Sequence, residues 1–251
     1  MSRPSWDLRI ARAAELGGRY PAAAPLLEFY RQTAELQSHL YREFEAGPLE
    51  AIEEKFPAFL DQLALAAPPE VAQHAAALRN ADPAELKALI EAGMGGLHPA
   101  RRFRLADFLA RAFLQPWAEA ACPLPRAEEW NLTSVCPCCG REPQAAVLRE
   151  EQYGAQRSLV CSLCQWEWEF RRLLCPACAE DRSDKLPVFR SEDFPAVRVE
   201  ACDACQTYLM AIDVTLDAGA VPVVDDLAAL SLHLWAGEQG YHLLAPHWPG
   251  I

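Results

Sequence analysis

Cys136-Pro-Cys-Cys139-Gly140, Cys161-Ser-Leu-Cys164, Cys175-Pro-Ala-Cys178 and Cys202-Asp-Ala-Cys205 stand in one contiguous block of a 251-residue chain. They hold eight of its ten cysteines. Two thiolates separated by two residues grip a metal ion through a tight backbone knuckle. Two knuckles complete a tetrahedral four-sulfur site, so four pairs imply two sites. One such pair reads equally well as a redox motif, whereas four in one block point to metal.

The intervening loops suggest how the pairs combine. Between Cys139 and Cys161 lie 21 residues, between Cys178 and Cys202 lie 23, and only 10 separate Cys164 from Cys175. Loops of 21 and 23 residues suit a rubredoxin-type or zinc-ribbon hairpin with a knuckle at each end. Sequential pairing follows: Cys136, Cys139, Cys161 and Cys164 in one site, Cys175, Cys178, Cys202 and Cys205 in the other. Interleaved pairing is the alternative. Iron and zinc both take four sulfurs tetrahedrally, so the spacing does not choose between them. A closed four-thiolate site leaves no position for water or substrate, which argues for a structural role. The first knuckle is followed by Gly140, where a positive φ helps backbone N–H groups reach sulfur; the others are followed by Gln165, Ala179 and Gln206. Of the two remaining cysteines, Cys138 is expected to point out of its knuckle and Cys122, beside Pro123, to be packed.

An apolar share of 51% is enough for a real core, and a net charge of -12 disfavours a polyanion as general partner. From Glu180 onward there are 12 Asp/Glu against 4 Lys/Arg. The N-terminal residues lack the pattern of a signal peptide, and no apolar run approaches a membrane span. This predicts a cytoplasmic protein with no membrane insertion, where Cys-x-x-Cys pairs favour metal over disulfides.

Residues 1–128 read as helical. Ser5 caps a first helix, residues 21–45 form a longer one, and residues 49–66 a third that Pro57 kinks or splits. Short helices follow at 70–79 and 83–91, the latter with Asp82 as N-cap and Pro83 at N1. Gly93 to Gly96 reads as a turn. A last helix over 99–121 contains Pro116 and carries Arg101, Arg102, Arg104 and Arg111, read as a solvated basic face. From Trp130 the periodicity becomes alternating, with strands expected at 144–149, 156–161, 166–171, 186–190, 197–201 and 208–213: a knuckle–hairpin–knuckle–strand unit given twice. Asp225 and Asp226 are placed to start a final helix whose apolar face carries Leu227, Leu230 and Leu234. The expected architecture is α+β: an all-helical subdomain (1–128), a first rubredoxin-like subdomain (129–173), and a second with a C-terminal helix (174–251). No histidine stands at ligand spacing from an acid or another histidine, and no catalytic motif is evident.

The cysteine block resembles the FdhE family of formate dehydrogenase accessory proteins. The resemblance rests on Cys-Pro-x-Cys-Gly-x-x-Pro (136–143), Cys-Ser-Leu-Cys with the aromatic strand after it (161–170), and Cys-Pro-x-Cys (175–178). Cys-Asp-x-Cys-x-Thr-Tyr-Leu (202–209) and Asp-Asp-Leu-Ala-x-Leu (225–230) complete it. Cys138 departs from the pattern. The resemblance implies a helical subdomain followed by two rubredoxin-like subdomains binding two iron or zinc ions, with the eight paired cysteines as ligands. It also implies a cytoplasmic protein that is not an enzyme. That protein binds the catalytic subunit of a respiratory formate dehydrogenase and assists its maturation before export. The competing classes are a rubredoxin-like electron-transfer protein and a zinc-ribbon nucleic-acid-binding protein. For the latter, Arg141, Arg149, Arg157, Arg171 and Arg172 gather near the first site.

Overall fold

The computed structural model describes residues 5–44, 50–94, 104–122, 133–151 and 154–248. Helices fill the N-terminal half: α1 (Trp6–Arg19), α2 (Ala24–Phe44), α3 (Glu50–Glu53), α4 (Phe56–Ala66), α5 (Pro69–Arg79), α6 (Pro83–Met94) and α7 (Leu105–Ala121). Ser5 caps α1 by accepting from the Leu8 N–H, as its position predicts. Pro57 splits the third predicted helix, ending α3 and occupying the first turn of α4, where its missing N–H costs no hydrogen bond. Gly95, Gly96, His98, Arg101, Arg102 and the expected start of the last helix at residue 99 lie outside the described residues, as does the predicted boundary at 128.

Two features of the bundle differ from the periodicity. The buried face of α1 carries Arg9 and Arg12, while Leu8 is exposed. Arg9 is wholly buried, bonded to both carboxylate oxygens of Glu119 on α7 at 2.7 and 3.0 Å and stacked on Trp6; a paired guanidinium can sit where a lone charge could not. The predicted solvated basic face of α7 is corrected at Arg111, which is buried and donates to two backbone carbonyls far along the chain. Arg104, by contrast, pairs with Asp107 at the helix start. Pro116 stays inside α7 because the carbonyl it strands, that of Ala112 four residues back, accepts from Gln37 Nε2 of α2 at 2.7 Å.

The strands fall where alternation predicts: β1 (Pro143–Glu151), β2 (Gly154–Cys161), β3 (Glu167–Glu169), β4 (Val188–Arg190), β5 (Val197–Cys202), β6 (Thr207–Asp213) and a short β7 (His242–Leu243). They form one sheet in the order β3-β2-β1-β6-β5-β4, with β7 beside β6. Within each half the pairing is antiparallel, except that the short β7 lies parallel to β6. The halves join through a parallel ladder between β1 and β6, which pairs Ala145 with Met210 and Leu148 with Asp213. Strands central to a sheet covered on both faces are apolar throughout, and β1 and β6 are buried along most of their length.

The final helix is two helices, α8 (Pro222–Ala228) and α9 (Leu230–Glu238), broken at Ala229. The break rotates the stripe, so Leu234 is exposed and α9 buries Leu232, His233 and Ala236. Asp225 lies in the first turn of α8, where an acid is expected, but the N-cap itself is Val221. Asp225 reaches back to the Val221 N–H at 2.7 Å and takes a two-point bond from Arg12 at 2.6 and 3.1 Å, fastening α1 to α8. Trp248 returns into the bundle against Phe29, Tyr30 and Phe108. One apolar cluster consequently runs from Trp6 through the bundle to Cys136, Cys161, Cys164 and Trp248. Among the described residues no helix is long and apolar enough to cross a membrane.

Candidate metal centres

Each cysteine pair sits at a turn on the sheet, and the four turns share one backbone design. Cys136, Cys161 and Cys175 each donate their N–H to the carbonyl five residues on, at 2.8 Å. The residue after each knuckle, Gly140, Gln165, Ala179 or Gln206, is left-handed, with φ of 73°, 54°, 61° and 57°. The conformation expected at Gly140 is thus common to all four, and the last three adopt it despite a Cβ. Only glycine does so without steric cost. Such turns aim N–H groups at sulfur: Leu163 N lies 3.3 Å from Cys161 Sγ, and Ala177 N lies 3.4 Å from Cys175 Sγ.

These turns gather the thiols into the two groups of sequential pairing. The Sγ atoms of Cys136, Cys139, Cys161 and Cys164 all lie within 4.8 Å of one another, and so do those of Cys175, Cys178, Cys202 and Cys205. Nearest sulfurs are 3.3 and 3.5 Å apart in the first group and 3.7 Å in the second. A tetrahedron with metal–sulfur bonds of about 2.3 Å has edges of about 3.8 Å, so both groups have the size and donor set for one ion. Packed this closely, the thiols perturb one another. The Cys136, Cys161 and Cys164 thiols stabilise a thiolate at Cys139, whose pKa falls far, while Cys164 is pushed far up by the same neighbourhood. In the second group burial leads in raising Cys202 to about 12.

The surroundings differ. The first centre is buried except for a partly exposed Cys139, and it faces two buried guanidiniums. Arg111 donates from α7 to the carbonyl of Ser162, inside the second knuckle, at 3.0 Å and to that of Pro246 at 2.6 Å. Burial, helped by Arg141, lowers Arg111 to about 9. Arg141 follows the first knuckle; burial lowers its pKa too, with Glu142 and Cys161 acting against the fall, and its Nε has no hydrogen-bond partner among the described residues. Two buried cations here call for an anionic centre, and four thiolates around a divalent ion carry a charge of -2. The second centre is more open. Cys178 is exposed, and Thr207 Oγ1 lies 3.0 Å from Cys205 Sγ. Beside it a cavity of about 580 Å³ opens along β4 and β5, walled by the exposed Leu173 and Val188 and reached by Arg172 and Arg190.

Two arrangements escaped the sequence. Cys138 does not simply point outward, nor is Cys122 merely packed: they are joined as a disulfide, Cα to Cα 6.0 Å. Two of the six histidines, none of which stands at ligand spacing from an acid in the sequence, meet one in the fold. Buried Asp226 meets His233 Nε2 at 3.2 Å and His247 Nε2 at 2.7 Å, while Tyr208 and His233 Nδ1 share a hydrogen bond at 3.0 Å. Gln144 donates to Asp226 at 3.3 Å from the start of β1. The acid and its imidazoles are adjacent only in the fold, and the one sequence hint was the paired Asp225-Asp226. Of the arginines gathered near the first site, Arg141 is buried, Arg149 bonds Glu167 and Arg157 bonds Glu200; Arg171 and Arg172 remain exposed.

A helical body carrying two closed four-cysteine centres on a shared sheet defines a protein with paired rubredoxin-like knuckle sites. Residues 135–172 match the central domain of FdhE and residues 174–248 its C-terminal domain. An FdhE homolog of Stutzerimonas stutzeri is 34% identical over 174 residues, 68% of this chain and 56% of that protein. Escherichia coli FdhE is 34% identical over 140 residues, 54% of this chain and 45% of that one. The alignments with these relatives thus span about half of their length. The crystal structure of FdhE from Pseudomonas aeruginosa superposes with a TM-score of 0.74 at 26% identity, covering 100% of this chain and 98% of that one. The chain belongs to the FdhE family.

Proposed function

We propose that this protein is an accessory factor in the maturation of a respiratory formate dehydrogenase, binding its catalytic subunit in the cytoplasm before export, without itself being an enzyme. Its eight paired cysteines hold two iron or zinc ions, Cys136, Cys139, Cys161 and Cys164 around one and Cys175, Cys178, Cys202 and Cys205 around the other. The observation that carries this reading is the closure of both centres. All four donors of each come from the chain and leave no position for a substrate, so the ions hold a surface in shape. The groove beside the second centre, apolar-walled and arginine-edged, is a surface for a segment of the client. Co-purification of the tagged protein with the formate dehydrogenase catalytic subunit tests the reading. No association, together with normal formate dehydrogenase activity in a deletion strain, defeats it.

One observation favours a second reading, rubredoxin-like electron transfer: Cys178 brings the second centre to the surface. Reversible one-electron reduction of iron-loaded protein coupled to a partner supports that reading, and native protein that is colourless and zinc-loaded excludes it.

A further inference from the structure

We propose that Cys122 and Cys138 form a reversible disulfide, a thiol–disulfide exchange site apart from both four-cysteine centres, which clamps the first knuckle to α7. The proposal rests on the metal reading only where bound metal is taken to shield the eight knuckle thiols.

Cys122 is the C-cap of α7, and Cys138 lies between the two cysteines of the first knuckle. The same helix already holds the other knuckle through Arg111 and the Ser162 carbonyl. Thus α7 reaches both halves of the first centre, one by a hydrogen bond and one by a covalent link that can be made or broken. Cys138 is partly exposed, so a small reagent can reach the bond. A disulfide that must coexist with eight free thiols belongs to the transient or redox-sensing kind rather than the structural kind.

A third thiol makes the bond responsive. The Sγ atoms of Cys122, Cys138 and Cys164 lie within 4.8 Å of one another. When an ion occupies the first centre, Cys164 is engaged as a ligand. When it does not, the Cys164 sulfur is free to exchange: its thiol gives up a proton to water as it attacks either sulfur of the bond, forming a new disulfide and releasing the other sulfur as thiolate. The bond itself forms from two thiols and one low-molecular-weight disulfide of the glutathione type. The two cysteines give up two electrons and two protons, and the reagent leaves as two thiols.

The test uses the full chain loaded with zinc and equilibrated at graded ratios of reduced to oxidised glutathione. It is then alkylated with N-ethylmaleimide without unfolding and read by intact mass and peptide mapping. At the reducing end the partly exposed Cys138 is expected to take an adduct, and the buried Cys122 to be alkylated by a second reagent once the protein is unfolded. At the oxidising end neither is expected to react, and a peptide links Cys122 to Cys138. Cys122→Ser leaves one adduct when reduced and a single glutathione on Cys138 when oxidised. Zinc measured on the same samples separates the two readings. The linked peptide without bound zinc sinks the metal reading alone. Two zinc ions with no linked peptide at any ratio, or with a link through a knuckle thiol, overturn the proposal. Stripping the zinc is expected to add products linked through Cys164, and a product set unchanged by stripping overturns the role given to that thiol.

Discussion

Arg111 of α7 donates to the carbonyl of Ser162 at 3.0 Å, so a buried cation of the helical half holds the knuckle that carries Cys161 and Cys164. Its second bond, to Pro246, ties the same point to the C-terminal tail. Replacing Arg111 by Met keeps an unbranched apolar stem but strands two buried carbonyls, each costing about 1–3 kcal/mol. It also removes one of two cations facing the first centre. The expected result is a lower denaturation midpoint and earlier release of the first centre's ion to a chelator than in the wild type. A first-centre ion released no earlier than in the wild type, seen by mapping the alkylated cysteines, contradicts this account.

Burial sets a hierarchy between the centres. The first is enclosed and flanked by Arg111 and Arg141, while the second exposes Cys178. A chelator is expected to remove the second ion first, giving a two-phase release. Serine at any of the eight paired cysteines is expected to lose the ion of its own centre only, and Cys138→Ser to retain both. Native mass spectrometry reads the stoichiometry, and an ion lost on Cys138→Ser contradicts the ligand assignment.

What the sequence conveyed and what it withheld divide along a physical line. Knuckle spacing and strand alternation are local signals, and the strands and thiol groupings follow them closely. Arg9, Arg12 and Arg111 look like surface charges because a helical repeat cannot announce a carboxylate or carbonyl waiting on a distant element. The parallel β1–β6 ladder that fuses the two repeats leaves no trace in either strand beyond its apolar run. His247 lies far enough from Asp226 in the chain that only folding brings it to the pair that Asp226 makes with His233, seven residues on.

The left-handed residue after each knuckle offers a test of backbone strain. Ala179 adopts φ 61° with a Cβ, and its amide must stay in place to bond the Cys175 carbonyl at 3.0 Å. Glycine removes the steric penalty, about 1–2 kcal/mol for a left-handed L-residue, less the extra freedom of the unfolded chain. Ala179→Gly is expected to stabilise the protein by up to about 1 kcal/mol, and Gly140→Ala to destabilise it by a similar amount. Denaturant melts at fixed zinc concentration measure both, and opposite signs would falsify the shared design.

Acid should unfold the protein through Asp226. Burial alone would raise its pKa, but His247 and His233 more than reverse that and hold it well below the usual carboxylate range. A carboxylate whose folded pKa is depressed contributes stability that is fully present above its unfolded value, about 3.9, and is lost as pH falls through the folded value. Asp226→Asn removes that contribution wherever the carboxylate is ionised. The difference between wild type and variant is therefore expected to be present above about pH 4 and to shrink as pH falls below it. Protonation of metal-bound thiolates also weakens the protein in acid, but it acts on both chains and cancels in the difference. Parallel chemical melts of the two proteins across that pH range measure it. A difference that stays constant with pH means that Asp226 supports the fold by its shape and hydrogen bonds and not by its charge.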